Sequence, residues 1–179
     1  MGKIAVLIDV QNLYHSAKLF CNGKISYKHL MEKIGEGREV VYSKAYAAHK
    51  DVKESKSFYS ALELLGIEVL SKKVIVKHDK NNQSKVIPVH FDVEIATDAA
   101  INVPVDVDTI VFCTGNGNFC YLADHLINVD GTKIEFWSFS ESTSNDIMSN
   151  EKFTFRQIPT ECLLGHTPEE VETKKAVTV

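Results

Sequence analysis

The stretch Asp108-Thr109-Ile110-Val111-Phe112-Cys113-Thr114-Gly115-Asn116-Gly117-Asn118-Phe119 decides the fold. Thr109 to Cys113 is a short β-branched and apolar run, as expected for a strand covered on both faces of a parallel sheet. Gly115 and Gly117 then open a loop, and Phe119 to Ile127 carries the spacing of a helix. In an α/β protein, a loop between the carboxyl end of a strand and the next helix is where ligands sit.

Working outward from this strand, the same alternation recurs on both sides. Lys3 to Asp9 (KIAVLID) is a second apolar run that closes on an acid. The helical segment after it contains Asn12, Leu13, Ala17 and Leu19-Phe20 and stops at Asn22-Gly23, and Ser26 can cap a further helix through Met31. Glu39 to Ala48 reads as a strand, Ser55 to Leu65 as an amphipathic helix ended by Gly66, and Ile67 to Leu70 as a strand. Lys72 to Lys85 alternates β-branched residues with lysines around Asp79-Lys80-Asn81-Asn82, the pattern of a protruding hairpin. Phe91 to Ile101 is helical in composition, with Pro104 beyond its end. Lys133 to Phe139 reads as a strand, Ser142 to Asn150 as a short helix, and Phe153 to Ile158 as the last strand. The alternation predicts a three-layer α/β sandwich around a mainly parallel sheet. The expected domain spans residues 1–160, and 161–179, poor in apolar residues, is expected to be a loosely held tail.

Composition narrows the function classes. The chain has 179 residues, 44% apolar and 25% charged, which suits one domain with a sizeable core. A formal charge of −4 supplies no global attraction to a polyanion, so a nucleic-acid partner would have to be met by a local basic patch or by bound cations. With no apolar stretch near 20 residues, the expectation is a soluble, cytoplasmic protein without membrane contact. Cys21, Cys113, Cys120 and Cys162 lack CxxC spacing and read as buried thiols.

In a parallel sheet, Asp9 and the Gly115–Asn118 loop share the carboxyl-end crevice, and Asp92, in the first turn of its helix, can reach it. Acids gathered there repel one another unless a cation lies between them, and a hard divalent ion with oxygen ligands is the natural partner. Asn12, three residues after Asp9, could hold a water or a phosphate oxygen beside it. Taken singly, these residues read more readily as helix caps and first-turn charges, and it is their convergence on one sheet edge that reverses the balance.

Three blocks, Val6-Leu7-Ile8-Asp9-Val10-Gln11-Asn12-Leu13, His90-Phe91-Asp92-Val93-Glu94-Ile95-Ala96-Thr97-Asp98-Ala99 and Thr114-Gly115-Asn116-Gly117-Asn118-Phe119, resemble the signature blocks of the NYN domain family, in its LabA-like branch of PIN-like nucleases. Ser142-Thr143-Ser144-Asn145-Asp146-Ile147, before Phe153-Thr154-Phe155, is similar to the family's closing helix and last strand. The resemblance implies a Rossmann-like, PIN-like sandwich and Mg²⁺- or Mn²⁺-dependent hydrolysis of RNA. It places Asp9, Asn12, Asp92, Asn116 and Asn118 at catalytic positions, and Asp9, Asp92, Asp98, Asn116 and Asn118 at the metal. The third block of the family usually reads Ser-Gly-Asp-x-Asp-Phe, so Asn116 and Asn118 stand in place of two acids. An amide still offers an oxygen, but losing two charges weakens a site held mainly by Coulomb attraction, and the expected activity is low or absent.

Lys72, Lys73, Lys77, Lys80 and Lys85, with His49 and Lys50 on the same predicted face, form a candidate track for an RNA backbone. Lysines guarding an exposed hairpin edge would look the same. Tyr14 and His15 lie one turn beyond Asn12, where a base could stack, although Tyr14 reads first as a core residue. Trp137, inside a strand, also reads as core. Two further readings remain: a non-catalytic RNA-binding or regulatory module on this fold, and a dinucleotide-binding protein. The second lacks support, because Gly115-Asn116-Gly117-Asn118 has no third glycine and follows the central strand. A homodimer is also expected as a possibility for a domain of this size.

Overall fold

The computed structural model describes residues 1–78 and 84–164. Strand β1 (Gly2–Asp9) lies near the middle of a six-stranded sheet. Its side chains alternate, Ile4, Val6 and Ile8 to one face and Ala5 and Leu7 to the other, and both sets are buried. That two-sided burial requires a helical layer on each face. The layers follow from the chain order: α1 (Val10–Cys21), α2 (Tyr27–Ile34) and β3 (Arg38–His49), then α3 (Val52–Leu64) and β4 (Glu68–Lys73), with the two-residue strand β2 (Lys24–Ile25) between the first two helices. Strands β5 (Ile75–His78) and β6 (Ser84–Ile87) pair antiparallel as a hairpin outside the sheet. Next come α4 (Asp92–Thr97), β7 (Thr109–Cys113), α5 (Cys120–Asp130), β8 (Lys133–Ser138), α6 (Asn145–Met148) and β9 (Thr154–Gln157).

Every neighbouring pair in the sheet is parallel, in the order β4-β3-β1-β7-β8-β9. The chain runs outward from β1 through β3 and β4, then returns to β1's other side for β7, β8 and β9. The direction of winding reverses between β1 and β7, and their carboxyl ends open the crevice of the sheet. One face is packed by Leu13, Leu30 and Leu62 of the first three helices, the other by Ile95, Ala123 and Ile147 of the last three. On this second face Phe119, Phe112, Phe136 and Phe153 form a continuous run of rings, with centroids 5.8, 5.4 and 5.3 Å apart. The run ties the strand before the glycine loop to the residue that ends it.

The three-layer parallel sandwich expected from the sequence is the fold observed, and the hairpin lies where the lysine-rich segment predicted it. Three boundaries differ. The helix expected over 91–101 ends as α4 at Thr97 and continues as a π-helical turn, Asp98–Asn102, in which the Val103 N–H bonds to the Asp98 carbonyl at 2.9 Å. That wider turn lets the Asn102 amide reach back to the Asp98 carboxylate. The helix expected over 142–150 is only one turn, because Ser144 caps it at Asp146 and the Ser149 N–H closes on Asn145. The boundary expected at 160 falls short: the 3₁₀ turn Thr160–Cys162 and strand β10 (Leu163–Leu164) belong to the fold, with β10 pairing antiparallel to β2. Cys162 and Leu163 join the core beneath α2. The rest of the expected tail, 165–179, lies outside the described residues. Trp137 is in the core as expected, while of the four free cysteines Cys113 and Cys162 are buried and Cys21 and Cys120 only partly so. Among the described residues no helix is long and apolar enough to cross a membrane.

Truncation should read the last boundary directly. Relative to a chain ending after Leu164, one ending after Pro159 should lose on the order of 2–5 kcal/mol in urea unfolding, the usual cost of removing buried apolar side chains. Equal midpoints for the two truncations would show that residues 160–164 add nothing to the fold.

Candidate active site

Asp9 ends β1 and caps α1, its Oδ1 accepting the Asn12 N–H at 3.1 Å. Thr114, one residue past β7, donates its hydroxyl to Asp9 Oδ2 at 3.4 Å. The next strand end is locked in the same way, because the Asn12 side-chain oxygen accepts the Gly115 N–H at 2.9 Å. Two loops that are more than a hundred residues apart in sequence are therefore stitched together by side chains at the β1–β7 reversal.

The glycine loop has little freedom to sit elsewhere. A Cβ on Gly115 would lie 2.8 Å from the Ser142 carbonyl and 2.9 Å from Ser138 Oγ, and one on Gly117 would lie 2.6 Å from Ser144 Oγ. These glycines are needed for close backbone approach, which the Ser144 N–H confirms by bonding to the Gly115 carbonyl at 2.9 Å. Asn116 then caps the 3₁₀ turn Gly117–Phe119, its oxygen accepting the Asn118 N–H at 3.0 Å. Both amide groups of the pair turn toward α4: Asn118 Nδ2 donates to Asp92 Oδ2 at 3.0 Å and Asn116 Nδ2 to the same oxygen at 3.4 Å. Asp92 is the first residue of α4 and faces the loop across a cleft of 260 Å³ that also meets Asp9, Asn12, His15 and His90.

The structure thus gathers Asp9, Asn12, Asp92, Asn116 and Asn118. Asp98, also expected at the metal, is not among them. Its buried carboxylate accepts the Tyr46 hydroxyl at 2.7 Å, lies 3.1 Å from Lys44 Nζ, and is bonded by Asn102. Burial alone would raise its pKa, but the bonds from Tyr46, Asn102 and Lys44 outweigh it and hold the carboxyl below its ordinary value. Tyr46 packs against Phe91, the residue before Asp92, with ring centroids 6.1 Å apart. Asp98 therefore supports the α4 segment from below the cleft.

The basic track divides likewise. Lys73, Lys77 and Lys50 are exposed. Lys72 is half-buried in an ion pair with Glu94, 4.9 Å above the Phe91 ring, and Glu94 titrates below its ordinary range because of that contact. His49 is buried at 8% exposure, 3.3 Å from the Tyr59 hydroxyl, because it packs under α3 instead of facing out at the strand end. Lys85 pairs in register with Lys77 across the hairpin, and Lys80 lies outside the described residues. Tyr14, expected in the core, is 44% exposed and meets His15 edge-on, since this face of α1 turns away from the sheet. Thr114 and Ser144 were missed by sequence reasoning. Both lie inside the recognised blocks, and only the three-dimensional neighbours reveal what their hydroxyls hold.

Two carboxylates and two amide oxygens are a donor set that fits a hard divalent cation, although a weaker one than four acids would hold. Among the described residues no cluster of three or more His, Cys, Asp or Glu side chains is gathered for a metal. Burial pushes the Asp9 carboxyl above its ordinary value of 3.8, and the charge of Asp92 adds to the shift against the Asn12 and Thr114 bonds. Because the folded protein holds this proton more tightly than the unfolded chain, stability is lost as pH rises from 3.8 through the folded value and stays lower above it. Asp9→Asn keeps a capping oxygen and removes the charge. In metal-free buffer it should melt a few degrees above the unaltered protein at pH 7 and with it below pH 3.8, as read by circular dichroism. A lower melting temperature at neutral pH would refute the burial account of Asp9.

Comparison with known proteins agrees with this fold. The NYN domain model matches residues 3–159. The chain is similar to the crystal structure of a protein of unknown function from Vibrio parahaemolyticus RIMD 2210633, at 28% identity and a TM-score of 0.74, covering 91% of this chain and 96% of that one. No curated protein matches. With that match spanning nearly all of the sandwich, the chain belongs to the NYN domain family.

Proposed function

We propose that this chain is a divalent-metal-dependent ribonuclease of the LabA-like type whose hydrolysis is attenuated by Asn116 and Asn118. The observation that carries the reading is the convergence of Asp9 and Asp92, from separate elements, on one cleft at the β1–β7 reversal. Mg²⁺ or Mn²⁺ would be held by those two carboxylates, with the oxygens of Asn116 and Asn118 completing the protein ligands. When bound, such an ion neutralises phosphate charge and lowers the pKa of a water that can attack phosphorus.

The chain's own residues have distinct tasks in this reading. Asn12 and Thr114 position the strand ends, and a cation would offset the charge of the half-buried Asp9 carboxylate. Exposed Lys73, Lys77 and Lys50 attract the RNA backbone. Asn116 and Asn118 fill the volume of two acids but cannot accept a proton from the attacking water. Each missing charge also removes an attraction on the order of 4 kcal/mol for a pair of unit charges at 4 Å in a partly buried setting. A second reading, RNA binding without turnover, is favoured by one feature: both amides donate to the Asp92 oxygen that a cation would need.

Restoring Asn116→Asp with Asn118→Asp should raise Mn²⁺-dependent cleavage of single-stranded RNA by at least about a hundredfold, the range of a recovered acid–base group, in a gel assay. Adding Asp92→Asn to that protein should abolish the gain. A restored protein that folds, yet is as inert as the present chain, would sink the nuclease reading. If it nevertheless binds RNA in a salt-dependent way that Lys73→Ala with Lys77→Ala weakens, the non-catalytic reading takes its place.

A further inference from the structure

Asp92 stands between two hollows. On one side it faces the cleft shared with Asp9, and on the other, together with Asn118, it walls a separate hollow of 380 Å³ between α4 and α5. Ala96 and Leu122 give this hollow an apolar floor, and Tyr121 and His125, four residues apart on α5, form its rim. At that spacing the two rings lie on one helix face. Tyr121 is 86% exposed, although it is a large aromatic side chain with abundant apolar surface to bury.

We propose that this hollow receives one unstacked nucleobase of a single-stranded RNA, the one next to the phosphate at Asp92, held between Tyr121 and His125. The proposal deepens the reading of the cleft as an RNA site and rests on it. Three features select this occupant. The hollow and the cleft share Asp92 as a common wall, so a strand whose phosphate lies in one places a neighbouring base at the other. A planar ring with a polar edge matches an apolar floor closed at one end by a carboxylate and an amide. Exposed aromatic rings beside a backbone-binding groove are the means by which proteins hold single strands, because every base offers a π-face. A base inside a duplex is already stacked and cannot enter, so the hollow sets a preference for unpaired RNA.

Binding can be followed by fluorescence anisotropy with a fluorescein-labelled hexauridylate, its copy carrying one abasic residue, and a blunt RNA duplex. The present chain should bind the single strand at least about tenfold more tightly than the duplex, and Tyr121→Ala should weaken single-strand binding at least about fivefold. Tyr121→Phe should retain it, and an unchanged circular dichroism spectrum would confirm that the exposed ring is not needed for folding. The abasic residue should weaken binding to the present chain but add nothing to the Tyr121→Ala defect. Unchanged affinity of Tyr121→Ala, equal affinity for single strand and duplex, or no RNA binding at all would each overturn the proposal; a protein side chain would then be the better occupant. The two readings fail separately. Loss of binding in Tyr121→Ala together with an inert acid-restored protein would keep the base pocket and remove the nuclease, whereas equal cleavage by acid-restored proteins with and without Tyr121 would do the reverse.

Discussion

The reversal of winding between β1 and β7 is the constraint from which the rest of this molecule follows. Neighbouring strands there send their connections to opposite faces of the sheet, and a crevice opens at their carboxyl ends. The crevice is useful only if its two rims keep a fixed spacing, and polar side chains enforce it: Asn12 of one strand end grips the Gly115 N–H of the other, and Thr114 bonds back to Asp9. Below them the stacked phenylalanines anchor both ends of the glycine loop in the core. On the far side, Gly115 and Gly117 admit the segment after β8 to backbone contact distance. The loop is thus held from three directions, and small displacements of Asn116 or Asn118 would break several contacts together.

Asp92 reaches the same cleft by a different route. It begins a helix with no side-chain cap, and the position of that helix depends on what lies behind it. The Tyr46–Asp98–Lys44 cluster, buried on the sheet, joins β3 to the π-helical turn that continues α4, and Tyr46 packs on Phe91. A buried ion pair of this kind adds little net stability, but it is costly to break on one side only, which favours a single placement of the helix. The second acid of the His90–Ala99 block therefore has a structural explanation without any cation: it fixes where the first acid stands.

How much of this could be read from the sequence depends on the range of the interactions involved. The sandwich was legible because two-sided burial leaves long apolar runs, and strand–helix alternation is a local pattern repeated along the chain. The convergence of Asp9, Asp92 and the glycine loop was legible because parallel strands put their carboxyl ends on one edge. Asp98 was misplaced because helical spacing gives its side of α4, while only the neighbouring Tyr46 and Lys44 on β3 determine what its carboxylate meets. His49 and Lys72 were misjudged for the same reason, since charge and position along a strand say nothing of a tyrosine or glutamate arriving from another element. Tyr14 erred in the other direction: an aromatic side chain on a helix read as core, but α1 leaves it 44% exposed. Residues 160–164 looked too polar to matter, yet two of them, Cys162 and Leu163, fill the space beneath α2.

The amide pair explains how such a cleft can be stable without a cation. Four carboxylates facing one another would share a repulsion that each must offset by protonation or by an ion, so the folding of an all-acid site would be linked to metal concentration. Here Asn116 and Asn118 keep the shape of acids and retain the capping bond at the 3₁₀ turn, while their N–H groups supply the Asp92 carboxylate with donors. Asp9 receives neither amide, and desolvation displaces its pKa upward. On the proposed reading, attenuation and self-sufficiency are two consequences of one exchange: each N–H that satisfies Asp92 occupies a position from which an acid's oxygen would hold an ion.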